Sequence, residues 1–203
     1  ETLKELIAHQ SIDEKIHLVG YSMGGPIIGG FAEKYSDQVK SLSFIAPAGF
    51  GKVQTSFPFF MKIPGVIEWS MHVLADRFYG SAISSETTHS SDPLSINEEE
   101  FQQLFSFQVQ FKGFRESLAS TMRNFNLFDA REMFEKVATK NIPSIAIWGD
   151  NDGVVSYRGA ETYSEIFHEG KVITIESGTH DITYRQPSDV LEAINIFLDS
   201  QIP

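Results

Sequence analysis

The sequence predicts an α/β fold built on a mostly parallel sheet, interrupted by a helical insertion. Three observations lead there. Short apolar runs alternate with amphipathic helical stretches at both ends of the chain. The first apolar run stops at a glycine-rich turn and passes directly into a helix. Between about residues 50 and 125 the alternation breaks, and aromatics crowd into helical patterns with no clear strand.

The elements follow in order. Leu3, Leu6 and Ile7 recur at helical spacing, so Thr2 to Gln10 reads as an amphipathic helix. Ile16-His17-Leu18-Val19 is apolar and ends at Gly20, which suits a buried parallel strand. Pro26 to Tyr35 reads as a helix, with its proline in the first turn where a missing N–H costs little. Val39 to Ala46 is the second strand. Within the insertion, Pro64 to Tyr79 looks helical and Gly80 to Pro93 reads as a loop. Ser95-Ile96-Asn97-Glu98 has capping-box spacing and should open a helix to about Gln110. Phe114 to Phe125 is another helix. Alternation then resumes. Ala130 to Thr139 is a helix, Ser144 to Trp148 a strand, Ser156 to Phe167 a helix, Lys171 to Ile175 a strand, and Ser188 to Ser200 the closing helix. The domain reading is a core over 1–49, a helical cap over 50–125, and a return to the core over 126–203.

Composition removes several classes of function. The 203 residues are 41% hydrophobic, which is ordinary for a globular chain. No window approaches the apolar length of a transmembrane segment. A formal net charge of −11 opposes nucleic-acid binding, which depends on neutralising phosphates. There is no cysteine, so disulfides, thiolate zinc sites and thiol catalysis are excluded.

The chemistry concentrates in three short segments. Gly20-Tyr21-Ser22-Met23-Gly24 matches G-x-S-x-G between a strand and a helix. A serine on so tight a turn is strained and needs space two residues to either side, which Gly20 and Gly24 would supply. Gly25 would let the helix pack close. The helix N-terminus and the Met23 N–H would then face an oxyanion. A serine hydroxyl also needs a base. Of the six histidines, His180 directly follows the last strand, at the sheet edge where catalytic groups of open α/β folds gather. His9 and His168 read as surface groups, His17 as structural, and His72 and His89 fall in the cap. A carboxylate must hold the imidazole, and Trp148-Gly149-Asp150-Asn151-Asp152 offers two. Asp152 lies further out on the loop, whereas Asp150 suits a local turn bond; spacing alone leaves the choice open.

These segments resemble α/β-hydrolase-fold esterases, monoacylglycerol lipases and carbon–carbon bond hydrolases. The resemblance rests on Val19 to Gly25, on Ile145 to Asp152, and on Pro187 seven positions after His180. It implies that the chain holds the last four strands of that fold, and that Asp152 is the acid. The family commonly has glycine where Thr179 stands. The family also has several strands ahead of the nucleophile strand, with a loop that donates the second oxyanion N–H. The expectation is therefore that these residues are a fragment of a longer protein, poorly soluble or nearly inactive alone.

The expected activity is cleavage of a small apolar ester, an acyl ester or a monoacylglycerol, through an acyl-enzyme on Ser22. No metal or organic cofactor is needed for it. A carbon–carbon bond hydrolase and a non-catalytic ligand-binding protein are the rivals. In the cap, Phe57, Phe59, Phe60, Met61, Trp69, Phe101, Phe105, Phe107 and Phe111 are dense. Most should form the cap's own core, because a small helical lid must bury its apolar faces. Asn124 to Asn126 lies near the return to the core and is placed to reach a pocket. Glu98-Glu99-Glu100 reads as a solvated helix start.

Overall fold

The computed structural model describes residues 1–51, 65, 91–125 and 129–201. The expected helix over Pro64 to Tyr79, most of the loop after it, and Phe57, Phe59, Phe60, Met61, Trp69, His72, His89 and Asn126 lie outside the described residues. The chain divides into two compact units, one of residues 1–52 and 127–203 and the other of residues 53–126.

The first unit is a parallel four-stranded sheet in chain order: β1 (Ile16–Tyr21), β2 (Val39–Ile45), β3 (Ser144–Gly149) and β4 (Lys171–Ile175). The expected strands are present, and β1 runs two residues further than its apolar run, through Gly20 to Tyr21. The register brings the strand ends level. Tyr21 pairs with Ile45, Ile45 with Ile147, and Gly149 with Ile175. The segments that follow all four strands therefore emerge along one edge.

Period-2 alternation sorts the side chains onto two faces. Phe44, Ala146 and Trp148 share one core with Phe31, Phe50, Phe134 and Tyr163. That core is covered by α2 (Gly24–Lys34), α5 (Arg131–Ala138) and α6 (Arg158–Ile166). Leu3 and Ile7 of α1 (Thr2–His9) pack on its margin. Ile45, Ile145, Ile147 and Ile175 form the second core with Ile182 and with Val190 of α8 (Pro187–Asp199). On the same face Val19 of β1 is exposed.

Phe50, assigned from sequence to the cap, belongs to the first core. It is buried and stacks on Phe134 with ring centroids 3.9 Å apart. Such a buried aromatic side chain stabilises a fold by about 1.5–3 kcal/mol. Beside it the Ala130 N–H donates to the Gly49 carbonyl at 2.9 Å, tying the ends of the insertion together. Gly49 has φ +91°, and a Cβ there would lie 2.9 Å from that of Ala130.

The described part of the second unit holds α3 (Glu98–Val109) and α4 (Phe114–Asn124). A capping box does start α3, but two residues later than the sequence suggested. Asn97 accepts from the Glu100 N–H, and the Glu100 carboxylate accepts from the Asn97 N–H. Ser95 is occupied elsewhere, because its hydroxyl and its N–H both donate to the Asp92 carbonyl. Gly113 precedes α4 with φ +87°, a backbone state that favours glycine. Phe107 and Phe111 pack edge to face at 5.2 Å and are exposed.

Candidate active site

The G-x-S-x-G turn is built as its glycines suggest, with one exception. Ser22 adopts φ +50°, a left-handed conformation uncommon for a side chain bearing a Cβ. Backbone bonds fix it there. Its N–H donates to the Ile45 carbonyl at 2.8 Å, and its carbonyl accepts from Gly25 and Ala48 at 3.0 Å each. A Cβ on Gly20 would sit 2.5 Å from the Gly24 carbonyl oxygen, so glycine is required there. Gly25 lies against Pro47, whose Cβ would be 2.6 Å from an added Cβ. Gly24 departs from expectation. Among the described residues, nothing lies within 4 Å of where its Cβ would be. What crowds the turn is the Gly24 backbone pressing on Gly20.

Met23 is the N-cap of α2, and its N–H makes no hydrogen bond among the described residues. It lies at the positive end of the helix dipole, one residue after Ser22, where a developing anion would be stabilised.

His180 and Asp152 meet Ser22. His180 Nε2 is 3.0 Å from Ser22 Oγ, and its Nδ1 is 2.8 Å from Asp152 Oδ2. Of the two candidate carboxylates, Asp152 is the one that meets His180. Its buried carboxylate accepts from the N–H groups of Val154 at 2.8 Å and Val155 at 2.7 Å through Oδ1, leaving Oδ2 for the histidine. Those backbone donors lock its rotamer. The Trp148 indole in turn donates to the Val155 carbonyl at 2.8 Å, anchoring the donor loop to the buried core. Asp150 is exposed, so it is Asp152 and not Asp150 that bonds the local backbone and reaches the histidine.

The acid and histidine loops are held by a contact that the sequence did not reveal. Gly149 and Gly178 lie backbone to backbone. A Cβ on Gly149 would sit 2.1 Å from the Gly178 oxygen, and one on Gly178 would sit 2.9 Å from the Gly149 Cα. Across this junction the Asp150 N–H donates to Ile175 at 3.2 Å and the Asn151 N–H to Gly178 at 2.9 Å. The positive φ of the histidine loop falls on Ser177, at +54°, rather than on Gly178. Gly178 serves close approach instead. Thr179, where the family resemblance implies glycine, donates its hydroxyl to Asp181, which also accepts from Arg185 at 3.1 Å. Together they brace the start of α7 (Ile182–Arg185), a short helix absent from the sequence reading.

Among the described residues, the other histidines stand apart. His17 Nδ1 lies 2.6 Å from the buried Ser41 hydroxyl, a tie between β1 and β2. Burial and the nearby Lys40 hold its imidazole below the ordinary range. His9 and His168 are exposed. Asn124 donates to Ser120 within α4 at 3.2 Å.

Comparison with known proteins extends this picture. The chain is 27% identical to mouse (Mus musculus) monoacylglycerol lipase ABHD6 over 199 residues, covering 91% of this chain and 55% of that protein. It is 26% identical to Lipase 3 of Moraxella sp. (strain TA144) over 195 residues, covering 88% and 54%. The chain thus spans about half the length of the curated relatives it matches. Among solved structures, a bromoperoxidase from Bacillus anthracis shares the fold with a TM-score of 0.74 at 19% identity, covering 97% of this chain and 71% of that one. A carboxylesterase structure from Nitrososphaera gargenis has a TM-score of 0.72 at 15% identity, covering 98% and 70%. The alpha/beta hydrolase fold family model matches residues 6–185, all four strands and the insertion between them but not α8, and on that match the chain belongs to the alpha/beta hydrolase family.

Proposed function

We propose that this chain carries the catalytic machinery of a serine hydrolase that cleaves small apolar carboxylic esters, acyl esters or monoacylglycerols. The observation that supports it is the continuous relay from Ser22 Oγ through His180 to Asp152, at 3.0 and 2.8 Å. In this reading His180 Nε2 takes the proton of Ser22 as the oxygen attacks the ester carbonyl. The carbonyl π pair moves to oxygen, and the Met23 N–H stabilises that oxyanion. The pair returns, the alkoxy group leaves with the proton from His180, and an acyl ester on Ser22 remains. Water, deprotonated by His180, repeats the attack, and the carboxylic acid is released with Ser22 restored. Asp152 stays ionised and holds the tautomer that keeps Nε2 facing Ser22.

The ester class is supported by the names of the curated relatives, which are lipases and monoacylglycerol lipases. The domain reading, with a helical cap near residues 50–125 covering the Ser22 face, belongs to this proposal. The test is a panel of nitrophenyl esters of graded chain length, a vinylogous diketone, and a fluorophosphonate label. Ester turnover and labelling should both vanish in Ser22→Ala, with kcat falling on the order of 10^6-fold. Turnover of the diketone alone would move the reading to carbon–carbon bond hydrolysis. No labelling of the folded, full-length protein would favour a binding protein.

A further inference from the structure

Tyr21 occupies the variable position just before the nucleophile, and the reaction outlined above gives it no role. Its side chain nevertheless bridges the two parts of the site. The phenol donates to the backbone carbonyl of His180 at 2.9 Å. The ring stacks on the His180 imidazole, with centroids 5.3 Å apart and planes 30° from parallel. Tyr184 supports it from the side, edge on at 6.4 Å. Tyr21 itself is the last residue of β1, held in register opposite Ile45. Its backbone is therefore as fixed as the sheet.

We infer that Tyr21 is a positioning residue that fixes His180 over Ser22, gripping the histidine at its backbone carbonyl and at its ring face. This rests on the reading of Ser22 as nucleophile and His180 as base. The physical case has three parts. The histidine loop reaches the site from a strand three places away in the sheet, so its contact with Ser22 must be secured by something on β1. Tyr21 is covalently joined to Ser22, so one side chain sets the histidine's position relative to the nucleophile rather than to the sheet at large. Finally, the stacked ring bears on the imidazole itself, so the grip acts on the histidine ring as well as on its backbone. Burial keeps the phenol well above its usual range, so it remains a donor at any working pH. An aliphatic residue would fill part of the space and provide neither grip.

The experiment compares wild type, Tyr21→Phe and Tyr21→Leu in the full chain, with Ser22→Ala as the reference for chemistry. Tyr21→Leu should lower kcat and the fluorophosphonate labelling rate by about 100-fold, the scale of a misplaced catalytic group. KM should stay within about twofold, because ground-state binding is untouched. Tyr21→Phe keeps the ring and should recover to within about tenfold of wild type, the scale of one lost hydrogen bond. A leucine variant with full kcat, or a kcat loss that phenylalanine does not relieve, would overturn the inference. A Ser22→Ala protein as active as wild type would instead remove the nucleophile reading. Hydrogen exchange then decides the clamp by itself. The peptide over 177–186 should exchange faster in both Tyr21 variants while β3 keeps its protection, and unchanged exchange in that peptide overturns the clamp. If the leucine variant does not fold, exchange in Tyr21→Phe is the deciding measurement.

Discussion

The nucleophile turn and the acid–histidine pair are both held tightly, by opposite means. Ser22 is shaped by its own short turn and tied to the end of the neighbouring strand by bonds to Ile45 and from Ala48. Its φ of +50°, the Gly20–Gly24 contact and the bond from Gly25 are all local, helped by β2 alongside. Asp152 and His180 come from loops after different strands. They are fixed where those loops touch, at Gly149 and Gly178 and at the bond from Asn151 to Gly178. A local device is written as a contiguous motif. A device made by two distant backbones leaves only single glycines, each unremarkable alone.

The largest test of this contrast is within the acid loop. Asp152→Asn should lower kcat by about 10^4-fold, because an amide at that site favours the wrong imidazole tautomer. Asp150→Asn, at an exposed position, should leave kcat nearly unchanged. The reverse ranking would break the assignment of the pair. Next is the glycine junction. Gly178→Ala places a Cβ 2.9 Å from both the Gly149 Cα and the Ile175 oxygen, so the loops must part. We expect a kcat loss of about 100-fold. Fluorophosphonate labelling should slow in step, since the base is displaced and not the serine. If kcat holds, the junction does not position the pair.

The nucleophile turn offers a paired test of its own. Gly20→Ala collides with the Gly24 carbonyl and should destabilise the protein and slow labelling. Gly24→Ala meets nothing within 4 Å among the described residues and sits at the start of α2, where alanine is a better helix former by up to about 1 kcal/mol. Thermal melts of the two should move in opposite directions. Equal losses would mean that the motif's two glycines serve the same purpose after all.

The smallest effect lies at the other end of β1. The fold holds the His17 imidazole below its ordinary range through burial and Lys40, so the folded state prefers the neutral ring. That contribution is intact above the unfolded histidine pKa of about 6.5 and is lost as pH falls through it toward the lower folded value. Denaturation midpoints at pH 5 and pH 8 should therefore differ less in His17→Gln than in wild type. Its kcat at neutral pH should not change.

The fold was legible because its signals are periodic and local. The four strands stand where apolar runs predicted them, and Lys171–Ile175 is unaltered. Boundaries moved where tertiary bonds intervened, as at Tyr21, which continues β1 because it pairs with Ile45. The short helix Ile182–Arg185 was missed because its four residues carry no period and depend on Thr179, Asp181 and Arg185 for bracing. The capping box was misplaced because Ser95 and Asn97 are both good caps, and only the turn at Asp92 decides between them. In the site, Ser22 was marked by its motif. The choice between Asp150 and Asp152 needed the Val154 and Val155 donors, which are backbone groups that no residue type announces.

The bond between Gly49 and Ala130, with Phe50 stacked on Phe134 beside it, closes the base of the insertion inside the first unit. A loop pinned at its neck has already met its closure cost, and doubling its length adds only about 0.6 kcal/mol. The sheet and its triad geometry are therefore insulated from what the intervening chain becomes. The length of chain between the two ends of that bond can therefore vary at little cost to the closure itself. In this architecture the neck is the boundary between the loops that carry Ser22, Asp152 and His180 and the stretch inserted between β2 and β3.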